Sequence, residues 1–374
     1  MENKKIFVVK PFLPPVETYI DYVKKIWNNE YLTNNGPLHN EFQETIQKQL
    51  KINNSTLFTN GHLALECALK SLDLRPGGEI ITTPFTFIST THAIVNNGFV
   101  PVFCDIKLTD YTIDEEKIEK LITDKTVAIM PVHVYGYPCN VEKIEEIAKK
   151  YNLKVIYDSA HAFGVEYKNN SILNYGDISM LSFHATKLFH SIEGGMLAYN
   201  DNNLISKLDF IKNFGIIGND IVDIQGINAK MNEFQAAMGL SVLPFVNQII
   251  EKRKHIVNLY RDLLNVNGIY FVEEKKDVKY NYAYFPILVD ETKYGLNRDE
   301  LCETLKNYNI FSRKYFYPLT SDANCYKNKY KNDGLENAKY VSNRILTLPL
   351  YPDLTDEEVR KISKIIINKG NLNE

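Results

Sequence analysis

The segment VIYDSAHAFG (155–164), followed after a gap by SMLSFHATKLFHSIEGG (179–195), decides how the chain is read. The mostly apolar run Lys154 to Tyr157 ends in Asp158, and 29 residues later a second strand-like run, Met180 to Phe183, leads to Lys187. Both groups therefore follow the end of a strand, where open α/β sheets place their ligand-binding residues.

Neither residue decides the matter alone. An aspartate after a strand is commonly a turn former, and a single lysine is commonly solvated surface. Their neighbours add chemistry. Ser182, five residues before Lys187, carries a hydroxyl suited to a phosphate, and Glu193-Gly194-Gly195 lets backbone approach closely before the next apolar run, Met196 to Tyr199. An acid, an amine and a phosphate donor suit pyridoxal 5′-phosphate (PLP). That cofactor needs a lysine for its Schiff base and a carboxylate beside its ring nitrogen, so that the protonated ring acts as an electron sink.

Outward from this segment, β and α patterns alternate. Ser55–Thr59, Glu79–Thr83, Phe99–Phe103 and Val127–Val132 read as strands, and Gly61–Leu72, Glu115–Ile122 and Val141–Tyr151 as helices. The alternation predicts an α/β fold with a mainly parallel, right-handed wound sheet. Asn60-Gly61-His62 falls at a strand-to-helix turn, whose free N–H groups and helix dipole favour a phosphate. Val16–Trp27 has helical spacing and is broken by Thr33-Asn34-Asn35-Gly36-Pro37. Gly226–Ala237 opens a long helical pattern running through Phe245, Ile249, Ile256 and Tyr260. The last third reads as α+β, with a strand at Tyr282–Val289 and a helix at Arg298–Tyr308. The run Phe311 to Pro318 mixes Arg313 and Lys314 with Tyr315, Phe316 and Tyr317, which fits either a nucleotide-sugar pocket or an edge strand with a basic face. Tyr326–Lys331 reads as a solvated loop able to attract a diphosphate.

The chain has 374 residues, enough for a large core and about two domains, expected at 1–240 and 241–374. A net charge of −3 gives no basic field for nucleic acid. Five scattered cysteines without a C-x-x-C pair argue against a disulfide framework or zinc site and fit a reducing cytoplasm. The four-residue apolar run near the N-terminus is too short for a signal-peptide core, and no stretch is long enough to span a membrane.

In TNNGP (33–37), TNGHLAL (59–65), PFTF (84–87), DSAHAFG (158–164), SFHATK (182–187), EGG (193–195), GINAKMNEFQAA (226–237) and LPLYP (348–352), the chain resembles the DegT/DnrJ/EryC1/StrS sugar aminotransferases. The resemblance implies a fold-type I PLP enzyme with a large PLP-binding domain and a smaller C-terminal one. It makes Lys187 and Asp158 catalytic. Gly61, His62, Phe87, His161, Ser182 and Asn228 become cofactor residues, with Asn228 reaching across a homodimer interface. The residue after Gly61 is commonly threonine in the family, so His62 is a departure. Phe87, by its residue type a core candidate, becomes the plate stacked on the cofactor ring. His161 has a buried structural role as its alternative, and His184 either faces substrate or packs. Lys230 stands where many relatives carry arginine and keeps the charge without the bidentate fork. With His184, Arg313, Tyr315 and Tyr317 it forms the expected substrate set.

The resemblance further implies glutamate as amino donor and a TDP-linked keto-6-deoxyhexose as acceptor, in deoxyamino-sugar synthesis for surface polysaccharide. The form SFHATK…EGG favours C-4 over C-3 of the sugar. Dehydratase members carry histidine in place of the lysine, so Lys187 favours transamination. Lys187, Asp158 and Ser182 together argue against a non-enzymatic binding protein.

Overall fold

The computed structural model describes residues 5–218 and 220–371. Seven strands form the central sheet, in the order Asn54–Phe58, Gly195–Tyr199, Ile178–Ser182, Lys154–Asp158, Thr126–Met130, Glu79–Thr82, Val100–Phe103. Gly195–Tyr199 is antiparallel to both its neighbours. The remaining pairings are parallel. The expected α/β architecture with a mainly parallel sheet is thus present. The strands are short and mostly buried along their length, which is why each reads as an apolar run rather than an alternation.

Helices Gly61–Ser71, Ile88–Asn96 and Val141–Tyr151 link successive strands. Asn60 and Asn140 cap the first and third, accepting from the N–H groups of Leu63 and Lys143. Helix Pro37–Leu50 begins at the TNNGP turn, and buried Glu233 covers its N-terminus by accepting from Leu38 N–H at 2.8 Å and His39 N–H at 2.9 Å. Two distant family segments are joined by this one carboxylate.

Several expected elements differ in extent. Residues 226–232 are not helical: isolated bridges pair Asn228 with Asn213 and Lys230 with Phe58. The helix starts at Glu233, because Asn232 and Gln235 close a capping box there, and a 3₁₀ turn at Leu243–Phe245 separates it from Val246–Leu263. Glu115–Ile122 is one α-turn followed by a 3₁₀ turn. The last third holds an antiparallel three-stranded sheet, Ile269–Tyr270, Phe285–Val289 and Ile345–Leu348. Its central strand begins three residues later than expected, since Asn281 turns its amide to the His161 and Phe163 carbonyls and Tyr282 adopts a positive φ of 53°. Within 311–318 only Phe311 is in a strand, through Ile310–Phe311, which pairs in parallel with Ile6–Phe7. Ile6 consequently packs in the hydrophobic core built mainly by residues 256–366.

Candidate active site

Asp158 and Ser182 are the final residues of their strands, Asn60-Gly61-His62 follows strand Asn54–Phe58, and Thr86-Phe87 follows Glu79–Thr82. One end of the sheet therefore gathers the groups that the sequence separates by more than 100 residues. They line a cavity of about 500 Å³. Residues Tyr284, Tyr315 and Phe316 from the C-terminal third complete its wall.

Asp158 is only 5% exposed. Thr90 Oγ1 donates to its Oδ2 at 2.7 Å, the Ala160 N–H donates to Oδ1 at 3.1 Å, and Thr86 backs Thr90 at 3.0 Å. Burial raises the carboxyl above its ordinary range, although these two hydrogen bonds and Lys187 pull it the other way. Among the described residues no cationic side chain pairs with it. A buried carboxylate that opens onto a cavity and lacks a cation fits a protonated ring nitrogen as its missing partner.

His161 is buried, and burial holds its imidazole well below the usual range, so the ring is neutral. Its Nδ1 accepts the Tyr135 N–H at 3.0 Å, which leaves the proton on Nε2 as a donor. Phe316 stacks on the imidazole at 5.9 Å and Tyr284 meets it edge-on at 4.9 Å. Lys187 points its amine into the same cavity, 5.9 Å from the centre of the Tyr284 ring. Desolvation lowers its pKa to about 8, against the opposing pull of Asp158, so a useful fraction is unprotonated near neutral pH.

Phe87 leaves 57% of its surface uncovered at the cavity wall. A bare aromatic face there is what a stacked pyridine ring would cover. The helices starting at Gly61 and Ile88 both direct their N-termini toward this cavity, where first-turn N–H groups have no partner within the helix. Gly195 makes the close packing possible: a Cβ on it would lie 2.6 Å from the Asn60 carbonyl and the Gly61 nitrogen. On the other side, a Cβ on Gly61 would lie 3.0 Å from Cβ of Ser182. The lysine, acid, aromatic plate and phosphate cradle are all present, so the residues fit PLP.

The cavity brings together Gly61, His62, Phe87, Asp158, His161, Ser182, His184, Lys187 and Tyr315. The other expected residues lie outside its lining. Asn228 is exposed and accepts from Lys230 Nζ at 3.0 Å; that amine also donates to Asn213 at 2.8 Å and sits 4.8 Å over the Phe214 ring. Arg313 is exposed and stacks 5.0 Å over Tyr315. Tyr317 belongs to a different surface depression, with Arg298 4.7 Å over its ring. The Phe311–Pro318 run is therefore neither one pocket wall nor one edge strand. His190 is structural: its Nδ1 accepts from the Ile192 N–H and its Nε2 donates to the Phe12 carbonyl at 2.6 Å. Thr86, Ser89, Thr90, Tyr284 and Phe316 were not legible as site residues. Only the hydroxyl-rich run after PFTF signalled Ser89 and Thr90, while Thr86 lies inside that motif.

Comparison with known proteins agrees with this geometry. The chain is 44% identical to the dTDP-4-amino-4,6-dideoxy-D-glucose transaminase of Shigella dysenteriae over 365 residues, 97% of this chain and 99% of that one. It is equally identical to the Escherichia coli protein of the same name, over 99% of this chain and 100% of that one. The GDP-perosamine synthase of Escherichia coli O157:H7 is 33% identical, over 97% of this chain and 98% of its own. Among solved structures, DesI with its TDP-sugar product superposes with a TM-score of 0.93 at 26% identity, covering 99% of this chain and 95% of that one. Helicobacter pylori PseC, an aminotransferase of pseudoaminic acid biosynthesis, gives 0.90 at 28% identity, covering 98% and 99%. Residues 16–367 match the DegT/DnrJ/EryC1/StrS aminotransferase family, and the chain, whose cavity Lys187 and Asp158 line, belongs to that family of PLP-dependent aminotransferases.

Proposed function

We propose that this aminotransferase moves the amino group of glutamate onto C-4 of a TDP-linked 4-keto-6-deoxyhexose. The observation that carries the reading is Lys187 facing the same cavity as Asp158, in a chain 44% identical over nearly its whole length to two transaminases named for a dTDP-4-amino sugar. The lower identity to a GDP-sugar enzyme favours TDP as the carrier.

Bound PLP supplies an electrophilic carbon for the amine and a sink for the electrons released at the substrate carbon. Asp158 holds the proton on the ring nitrogen, and Thr90 and Ala160 keep its carboxylate oriented. Phe87 would pack on the ring face, and His161, whose Nε2 carries the proton, would offer a donor to the ring edge. The Gly61 and His62 N–H groups and the Ser182 hydroxyl would hold the phosphate. Lys187 Nζ, once free and unprotonated, takes the proton from the α-carbon of glutamate and later gives one to the sugar carbon that receives nitrogen. Tyr284, Tyr315 and Phe316 wall the cavity against water, which strengthens the Asp158 interaction.

Exposed Asn228, outside this chain's own cavity, supports a homodimer in which it serves the neighbouring subunit's phosphate. The exposed apolar residues Phe214, Ile216, Ile217, Ile221 and Val222 of the same region give a second copy apolar surface to cover. A role in surface polysaccharide synthesis is supported by the 31% identity to the Bacillus subtilis spore coat polysaccharide biosynthesis protein SpsC. No helix among the described residues is long and apolar enough to cross a membrane.

The test is turnover of TDP-4-keto-6-deoxyglucose against 3-keto isomers with glutamate as donor. Wild type should aminate the 4-keto sugar and Lys187→Ala should not. Undiminished activity in the variant would end the proposed mechanism.

A further inference from the structure

His62 stands at the cavity wall, and its two ring nitrogens have different partners. Nε2 lies 3.2 Å from Glu66 Oε1, which also accepts the Asn96 amide at 2.8 Å. A carboxylate only accepts, so Nε2 carries its proton whether the ring is neutral or charged. The protonation change therefore falls on Nδ1, 2.8 Å from Ser89 Oγ. When His62 is neutral, Nδ1 is a lone pair that takes the single hydroxyl proton of Ser89. When His62 is charged, Nδ1–H donates to Ser89 Oγ, and the hydroxyl proton is free for a third group. Ser89 lines the cavity beside Gly61 and His62. A phosphate there needs donors and repels a bare oxygen.

We propose that Glu66, His62 and Ser89 form a proton-coupled donor for the phosphate group at the start of helix Gly61–Ser71, so that phosphate binding draws a proton onto His62. The proposal rests on the reading that the PLP phosphate sits at this helix terminus. Glu66 faces the imidazole from its own helix and balances its charge. From helix Ile88–Asn96, His92 faces it while engaged by the Tyr326 hydroxyl; burial first, and His62 second, hold His92 below the usual imidazole range. His184, engaged by Thr186 and Glu193, lines the same cavity from the segment after strand Ile178–Ser182. Lys187 and Asp158 lie at the end where the pyridine ring would bind.

The experiment measures PLP and pyridoxal affinities of cofactor-stripped full-length protein between pH 6 and pH 9, for wild type, His62→Gln and Ser89→Ala. Pyridoxal lacks the phosphate, so the affinity ratio isolates that end, and titration of free PLP is common to all three proteins. The wild-type ratio should fall with rising pH at least about fivefold further than the ratio of either variant. Calorimetry in buffers of different ionisation enthalpy should show extra proton uptake on PLP binding by wild type alone. Parallel pH curves for wild type and both variants would overturn the proposal. Ser89→Ala leaves the imidazole in place and so tests the relay even if His62→Gln fails to fold. Wild type binding PLP no more tightly than pyridoxal would instead overturn the reading on which the proposal rests.

Discussion

Asp158→Asn separates the role of this carboxylate in holding the cofactor from its role in the fold, because the two predictions have opposite signs. In the protein without cofactor, burial disfavours the ionised carboxyl, so the native state pays a penalty at neutral pH that an amide does not carry. The acid whose pKa is raised on folding binds more protons in the native state just above its ordinary range. Its contribution to stability therefore falls as pH rises through that window. The amide can keep the local bonds: its oxygen accepts from the Ala160 N–H, and its nitrogen donates to Thr90 Oγ1, which turns its own proton toward Thr86. The stripped variant should melt no lower than stripped wild type. With PLP bound the amide no longer holds the ring nitrogen protonated. Removing one preorganised electrostatic group that stabilises the developing charge costs about 2.7–4 kcal/mol of barrier, and at about 1.36 kcal/mol per decade of rate the half-reaction with glutamate should slow roughly 10²- to 10³-fold. Stopped-flow absorbance of the bound cofactor and thermal melting of both forms are the assays. A slowing of less than about fivefold, or a stripped variant several degrees less stable, would refute the assignment.

Other outcomes follow from the same geometry. A neutral amine-directed reagent should label Lys187 of the stripped protein with a rate that rises as pH passes about 8 and then levels, read by peptide mass spectrometry; a midpoint near the ordinary 10.5 would contradict the desolvated site. Because the folded chain binds fewer protons at Lys187 than the unfolded chain between about 8 and 10.5, its contribution to stability rises with pH across that window, and Lys187→Met should remove that slope from the melting profile. Gly195→Ala pushes a Cβ to within 2.6 Å of the Asn60–Gly61 backbone and should cost about 1–3 kcal/mol of stability while weakening PLP retention, seen as faster cofactor loss on dialysis. Unchanged retention would show that the glycine does not set the cradle.

The strands of the sheet were legible because they are buried and so read as apolar runs bounded by turn residues, and Asp158 and Lys187 stood out as candidates because Asp158 ends such a run and Lys187 comes five residues after the end of another. What escaped depends on contacts between distant segments. Thr90 reaches Asp158 across 68 positions of sequence, and nothing local marks a helical threonine as the support of a buried acid. Tyr284 enters the site from the C-terminal third, displaced from a simple strand pattern by the backbone turn at Asn281–Tyr282. Tyr315 and Tyr317 looked alike as neighbours in an aromatic, basic run, yet without a strand to set their directions one lines the cavity and the other a separate depression. The helical pattern assigned from Gly226 was misleading over its first seven residues, about two turns, since Asn228 and Lys230 bridge Asn213 and Phe58 as extended backbone before the Asn232 capping box starts the helix.

The measurement that tests the central claim most directly is the fate of nitrogen from ¹⁵N-glutamate during turnover of TDP-4-keto-6-deoxyglucose, followed by NMR of the sugar. The label should appear on C-4 with wild type and be absent with Lys187→Ala. A label on C-3, or no labelled sugar at all, would contradict it.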